Sequence, residues 1–163
     1  MVMAKFNDAR FLELEIFELI NMERASRGLP TLLNDEALTG IALEWSRYLA
    51  ETGNIAHGDF GGRVARIGYY NYQCGETIAT CSGWLPTIGR RIVDLWLTFA
   101  EHRQIMMTTQ KGYMGVGVSK GNQGFLCGSG FPIYITHPCE KLYYQGYGEG
   151  RYILVYDARK AFF

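Results

Sequence analysis

The stretch from Asn54 to Glu76, NIAHGDFGGRVARIGYYNYQCGE, gathers the residue types able to do chemistry. His57 and Asp59 stand in a polar turn, Arg63 and Arg66 follow, and Cys74 and Glu76 close the stretch. An imidazole with an acidic partner can relay a proton, and neutral imidazoles can bind a divalent metal. Asp59, two residues after His57, either adds a ligand or ties down the turn through its own backbone, and the turn role is the expectation. Arg63 and Arg66, three apart, either form an anion-binding pair or neutralise nearby Glu side chains; the second is expected.

Other nucleophile signatures are weaker. Residues 117–121, GVSKG, match Gly-x-Ser-x-Gly in form, but that motif works on a strand-to-helix elbow, and the GNQGF that follows reads as a turn into another strand. Cys127 and His137 would be a thiol and a base with no local signature to support them. The four cysteines, Cys74, Cys81, Cys127 and Cys139, contain no Cys-x-x-Cys pair. They are disulfide candidates, with Cys74–Cys81 and Cys127–Cys139 the simplest of three connectivities. Free buried thiols would suit a reducing compartment instead.

The elements that position these groups begin with two amphipathic helices. Asn7 and Asp8 are N-cap candidates, and Leu12, Ile16, Leu19, Ile20 and Glu23 recur on one face, leaving Glu13, Glu18 and Arg24 to face water. Gly28 and Pro30 stop that helix. A second starts near Asn34 with Asp35 and Glu36 in its first turn, buries Leu38, Ile41, Ala42, Trp45 and Leu49, and ends at Gly53. A third long helix, capped by Thr87, carries Ile88, Ile92, Leu95, Trp96 and Phe99 on one face, with His102 just beyond. From Tyr113 the period changes to two: YMGVGVSK, GFLCGSGF and RYILVYDA are strand candidates. The Gly-, Tyr- and Cys-rich segment 121–150 reads as a long excursion between strands, within a single domain spanning 1–163.

With 48% hydrophobic and 20% charged residues, the chain fits one globular domain with a sizeable core. Basic and acidic residues both number 16, so no net field favours nucleic acid or an anionic membrane. No apolar run is long enough to span a bilayer, and MVMAKFNDAR lacks a signal-length apolar core. The chain holds 11 tyrosines; IGYYNYQ and LYYQGYGEGRY either flank a cleft for sugars, peptides or lipids or cover the core and sheet edge, the second being expected.

Four pieces in order, LINMERASRGLPTLLNDEALTGIALEWSRYLAETGNIAHGD, CGETIA, IVDLWLTFAEHR and GYMGVGVSKG, resemble the CAP superfamily of cysteine-rich secretory proteins, antigen 5 and plant pathogenesis-related proteins, most nearly its compact prokaryotic branch. The similarity runs from about residue 19 to 120 and resumes at 151–156. It implies an α+β fold, a three-layer α-β-α sandwich with a short antiparallel sheet. It also implies a cleft where His57, Glu76 and His102 converge. Two departures stand out: Thr77 replaces the Asn of the family's Gly-Glu-Asn, and Phe99 stands where many eukaryotic members have a second Glu. Glu101 is nearby but out of phase.

The resemblance implies a binding or interaction module, lined by His57, Asp59, Glu76, Thr77 and His102, for a lipid, glycan, peptide or protein partner. His57 and His102 could hold zinc or another divalent ion. The alternative is a metal-assisted hydrolase with the two histidines as ligands and Glu76 as general base. A third reading is a disulfide-stabilised secreted effector with a vestigial cleft. Kinship implies an extracellular or cell-surface location; the visible N-terminus leaves a cytoplasmic one as the alternative.

Overall fold

A computed structural model describes residues 7–69, 73–81, 84–121, 133–136 and 154–155. Helix α1 spans Asn7–Ser26, a short strand β1 Leu33–Asn34, α2 Glu36–Thr52, α3 Phe60–Arg66 and β2 Gln73–Glu76. Then come α4 Leu85–Thr98, α5 Ala100–Met106, β3 Gly112–Gly115, β4 Ile133–Thr136 and β5 Leu154–Val155.

The sheet order is β1-β3-β4-β2-β5. β4 pairs antiparallel with both β3 and β2, so the three central strands form the antiparallel sheet that was expected. The two-residue strands β1 and β5 add parallel pairs at its edges. β4 lies inside the segment read from sequence as an excursion between strands. Its Ile-Tyr-Ile-Thr is four residues of good strand formers, hidden by the Gly- and Pro-rich sequence around them. The strand candidate GFLCGSGF, together with Cys127, His137 and Cys139, lies outside the described residues.

Side-chain alternation along the strands makes two cores. On one face Met114, Val116 and Val118 join Leu12, Ile16 and Ile20 of α1 and Ile88, Ile92, Val93 and Trp96 of α4. On the other, Cys74 joins Leu38, Ile41, Ala42 and Leu49 of α2 and Phe60 and Val64 of α3, with Tyr113 packed alongside. Between the β3-face residues stand Gly115 and Gly117. A Cβ at either would overlap the α2 backbone, at Leu38–Thr39 and Ala42–Leu43. Glycine there lets α2 lie directly on the extended chain, which seats the helix that leads into the His57 loop.

Helix signals read from sequence hold at α2. The Asp35 side chain accepts from the Leu38 N–H, and Gly53 closes the helix in the left-handed region at φ 68°. Three expectations differ. Glu13 and Arg24 are buried rather than solvent-facing, because each satisfies backbone groups from elsewhere in the chain. Glu13 accepts from the Val118 N–H, while Arg24 donates to the carbonyls of Pro30, Met106 and Gln110 at 2.8, 2.7 and 3.0 Å. The third helix starts at Leu85 with Trp84 as its cap residue and Pro86 in its first turn, where a missing N–H costs nothing. The Thr87 hydroxyl instead donates back to the Trp84 carbonyl. Finally, the helix breaks at Phe99, which is extended at φ −89°, ψ 129°, and restarts as α5.

Candidate functional site

The loop after α2 carries His57, and three contacts hold it. The Trp45 indole N–H donates to the Ala56 carbonyl at 3.1 Å, and Arg63 Nη1 donates to the His57 carbonyl at 2.9 Å. Gly58, at φ 55°, lies so close to the Trp45 ring that any side chain would collide with it. Asp59 then caps α3, its carboxylate accepting from the Gly62 N–H at 2.8 Å. That bond commits its carboxylate to the turn.

The loop and helix deliver His57 and Arg63 to Glu76 at the end of β2. Alternation turns Cys74 and Glu76 to the α2–α3 side of the sheet, while Gly75 between them faces Ile105 of α5. Glu76 Oε1 meets His57 Nδ1 at 2.8 Å, and Oε2 accepts from Arg63 Nη2 at 2.6 Å. The Glu76 side chain is 2% exposed, Arg63 8% and His57 47%. A buried carboxylate with a buried guanidinium is therefore joined to an imidazole open to solvent. The guanidinium also lies over the Trp45 ring, 3.9 Å from its centroid, and Trp45 stacks on Tyr48 at 4.7 Å.

The second wall of the candidate cleft is α5, which carries His102. His102 sits edge-on to Phe99, ring centroids 6.0 Å apart. Burial pushes its imidazole below the ordinary histidine range; the charge of His57 adds to this and Glu101 opposes it. The charge of His57 is thus felt at His102. The His102 Nδ1, the buried Thr77 hydroxyl and the buried Trp96 indole N–H have no hydrogen-bond partner among the described residues. Arg24 anchors the end of this wall through the Met106 carbonyl, in the last turn of α5.

Of the residues singled out by sequence, the fold thus joins His57 and Glu76 directly, while His102 lies on α5 within the electrostatic influence of His57. Asp59 is occupied in a helix cap. Arg63 and Arg66 pair with Glu76 and Glu44, at 2.6 and 2.8 Å, as the neutralising reading expected. Sequence reasoning underrated Arg63 and saw Trp45 only as core. Both lie at helical positions whose role depends on how α2 and α3 meet. The Ser119 hydroxyl of the Gly-x-Ser-x-Gly match lies 2.7 Å from the Ser46 hydroxyl of α2. Cys74 is buried, its thiol pushed up to about 12 by desolvation, so it stays protonated at neutral pH. Among the described residues no disulfide joins Cys74 to Cys81.

The donor set bears on the metal question. Both oxygens of Glu76 are engaged, and among the described residues no group of three His, Cys, Asp or Glu side chains is placed to hold an ion. His102 does not complete such a group with His57 and Glu76; Glu76 stands behind His57 at its Nδ1. This is the carboxylate–histidine arrangement that orients metal-binding imidazoles. The donors placed here among the described residues do not make a closed structural metal site.

Comparisons with known proteins fit this architecture. The sequence matches the pattern of CAP, the cysteine-rich secretory protein family, over residues 17–134. Solved structures similar in fold include the following three. An extracellular protein from Bacillus anthracis containing an SCP domain is 23% identical, with TM-score 0.65, over 78% of this chain and 41% of its own. An outer surface protein from Borrelia burgdorferi is 21% identical, TM-score 0.60, over 81% and 93%. A cysteine-rich secretory protein from Staphylococcus aureus is 17% identical, TM-score 0.63, over 83% and 41%. The chain thus spans about two fifths of the length of the Bacillus and Staphylococcus proteins. A comparison with curated proteins finds no match. No helix among the described residues is long and apolar enough to cross a membrane. The matched region, the α-β-α layering and these neighbours agree: the chain belongs to the cysteine-rich secretory protein (CAP) family.

Proposed function

We propose that this CAP domain is a binding or interaction module whose ligand enters between His57 and His102, without being chemically changed. The observation that carries this reading is the state of Glu76: buried, with one oxygen against His57 and the other on Arg63. A general base needs a free oxygen within reach of the water it deprotonates. Glu76 instead orients an imidazole, and exposed Tyr48, Ile55 and Phe99 offer apolar surface nearby in sequence for a lipid, glycan or peptide. His57 and His102 are the residues that would hold a divalent ion such as zinc. When bound, it would supply a positive, exchangeable coordination site. The extracellular and surface relatives support a role outside the cell or at its surface.

Calorimetric zinc titration of metal-stripped protein tests this, with His57→Ala/His102→Ala as control. The expected result is saturable binding of about one ion per chain, lost in the double variant, with ester and peptide substrates left intact by the zinc-loaded protein. Zinc-dependent hydrolysis abolished in Glu76→Gln would overturn the binding reading in favour of the hydrolase. Binding unchanged in the double variant would remove the imidazole pair from the site.

A further inference from the structure

We infer that Arg63 and Trp45 are positioning residues that fix which nitrogen of His57 faces the cleft. The inference rests on the cleft being the binding site, and it specifies what that site offers a ligand. With Oε2 accepting from the Arg63 guanidinium, Glu76 acts as an acceptor at both oxygens. The proton in the 2.8 Å contact therefore belongs to His57 Nδ1. In the neutral ring this leaves the lone pair on Nε2, and the half-exposed side chain carries that nitrogen at its outer end.

Arginine is suited to this because its fork reaches two targets at once. Nη2 fixes the carboxylate that takes the ring proton, and Nη1 fixes the carbonyl of the residue that owns the ring. Lysine would offer one ammonium for two acceptors set apart in space. Trp45 completes the clamp from below: its ring lies against the guanidinium, its indole N–H holds Ala56 and its edge packs under Gly58. Ring position, ring tautomer and loop path are thus fixed by one stack.

The consequence is a statement about ligand class. Arg63 is 8% exposed and both its terminal nitrogens are engaged, so it does not present a charge to an incoming phosphate or carboxylate. What the His57 wall presents is an electron pair, and the complementary ligand atom is a metal ion or an O–H or N–H donor.

Long-range proton–nitrogen NMR correlations of the imidazole rings at pH 8.5 read the tautomer with no ligand present. The wild-type protein is expected to show His57 with Nδ1 protonated and Nε2 bare. Arg63→Lys should shift His57 toward the Nε2-protonated form while leaving His102 unchanged, and should weaken zinc binding about 10- to 100-fold, the usual cost of losing a residue that orients a ligand. Trp45→Phe, which keeps a ring beneath the guanidinium and removes the indole donor, should move the same signals by less. It gives the reading independently should Arg63→Lys fail to fold. A wild-type ring protonated on Nε2, or a tautomer unchanged in both variants, would overturn the inference. A wild-type ring protonated on Nδ1 in a protein that binds no zinc would uphold the positioning role while the metal part of the binding proposal fails.

Discussion

The two walls of the cleft carry the same residue type and hold it by opposite means. His57 stands on a loop, the least constrained kind of element, yet hydrogen bonds fix its carbonyl, its ring and its supporting carboxylate, and an aromatic ring backs the arginine that makes most of them. His102 stands on a helix, where the backbone is already fixed, and its ring is held by burial and the edge of Phe99, with Nδ1 unpartnered among the described residues. Loop geometry has to be specified by polar contacts, because no periodic ladder does it. Helical geometry does not, so the second wall can leave polar capacity unspent. Thr77, beside Glu76, and Trp96, in the α1–α4 core, also carry buried polar atoms without a partner among the described residues, as does Arg63 at Nε.

That contrast breaks most decisively at Arg63. Arg63→Ala would leave Glu76 buried without its charge partner, and removing one member of a buried pair costs about 3–5 kcal/mol. Urea denaturation should show a loss of that size. Replacing both partners with apolar residues, as in Arg63→Met/Glu76→Leu, should recover most of it, since the cost lies in the stranded charge rather than in the absent bond. If Arg63→Ala costs under about 1 kcal/mol, as exposed pairs do, the His57 wall is not held by this clamp.

How far sequence reaches follows the same division. His57, Glu76 and His102 are singled out by motif resemblance because each sits in a short local string, and the caps at Asp35 and Gly53 are legible because capping is local chemistry. Arg63 and Trp45 are not, because a cation over a ring depends on how two helices approach each other. Arg24 misleads for the same reason: it lies among polar neighbours at the end of α1, and only the tertiary fold brings the Met106 and Gln110 carbonyls to it. The break at Phe99 has no Gly or Pro to announce it. Two local bonds accompany it, the Thr98 hydroxyl back to the Asp94 carbonyl and Arg103 Nη1 to the Leu97 carbonyl. A side-chain bond of the first kind competes with the helix ladder and bends it, yet Thr98 by itself reads as an ordinary helical residue. β4 was missed because four strand formers were outweighed by their surroundings.

A smaller effect, of opposite sign, is expected at Thr77, next to Glu76. The Thr77 hydroxyl is buried without a partner among the described residues, and an unsatisfied buried polar group costs roughly 1–3 kcal/mol. Thr77→Val keeps the shape and removes the oxygen, so the ligand-free protein should gain up to about 1 kcal/mol in the same denaturation experiment. A loss instead would show that the hydroxyl is satisfied by something held in the ligand-free protein.

The smallest effect is read through pH, in metal-free protein. Burial holds the folded-state pKa of His102 below its ordinary value of about 6.5, so between that value and the lower folded one the unfolded chain binds a proton that the folded chain does not. Stability follows the proton balance: it is full above about pH 6.5 and falls as pH drops through the window below it. Thermal unfolding from pH 7.5 downward should therefore show a decline beginning near 6.5 that is shallower in His102→Gln, where the titrating ring is gone. His57→Gln, made in parallel, should also reduce the decline, though by less than His102→Gln, since the charge of His57 ranks second to burial among the causes holding His102 down. Identical profiles for wild type and His102→Gln would mean that the second wall admits water freely enough to solvate the imidazolium. It would then be an open face of the cleft, not a buried one.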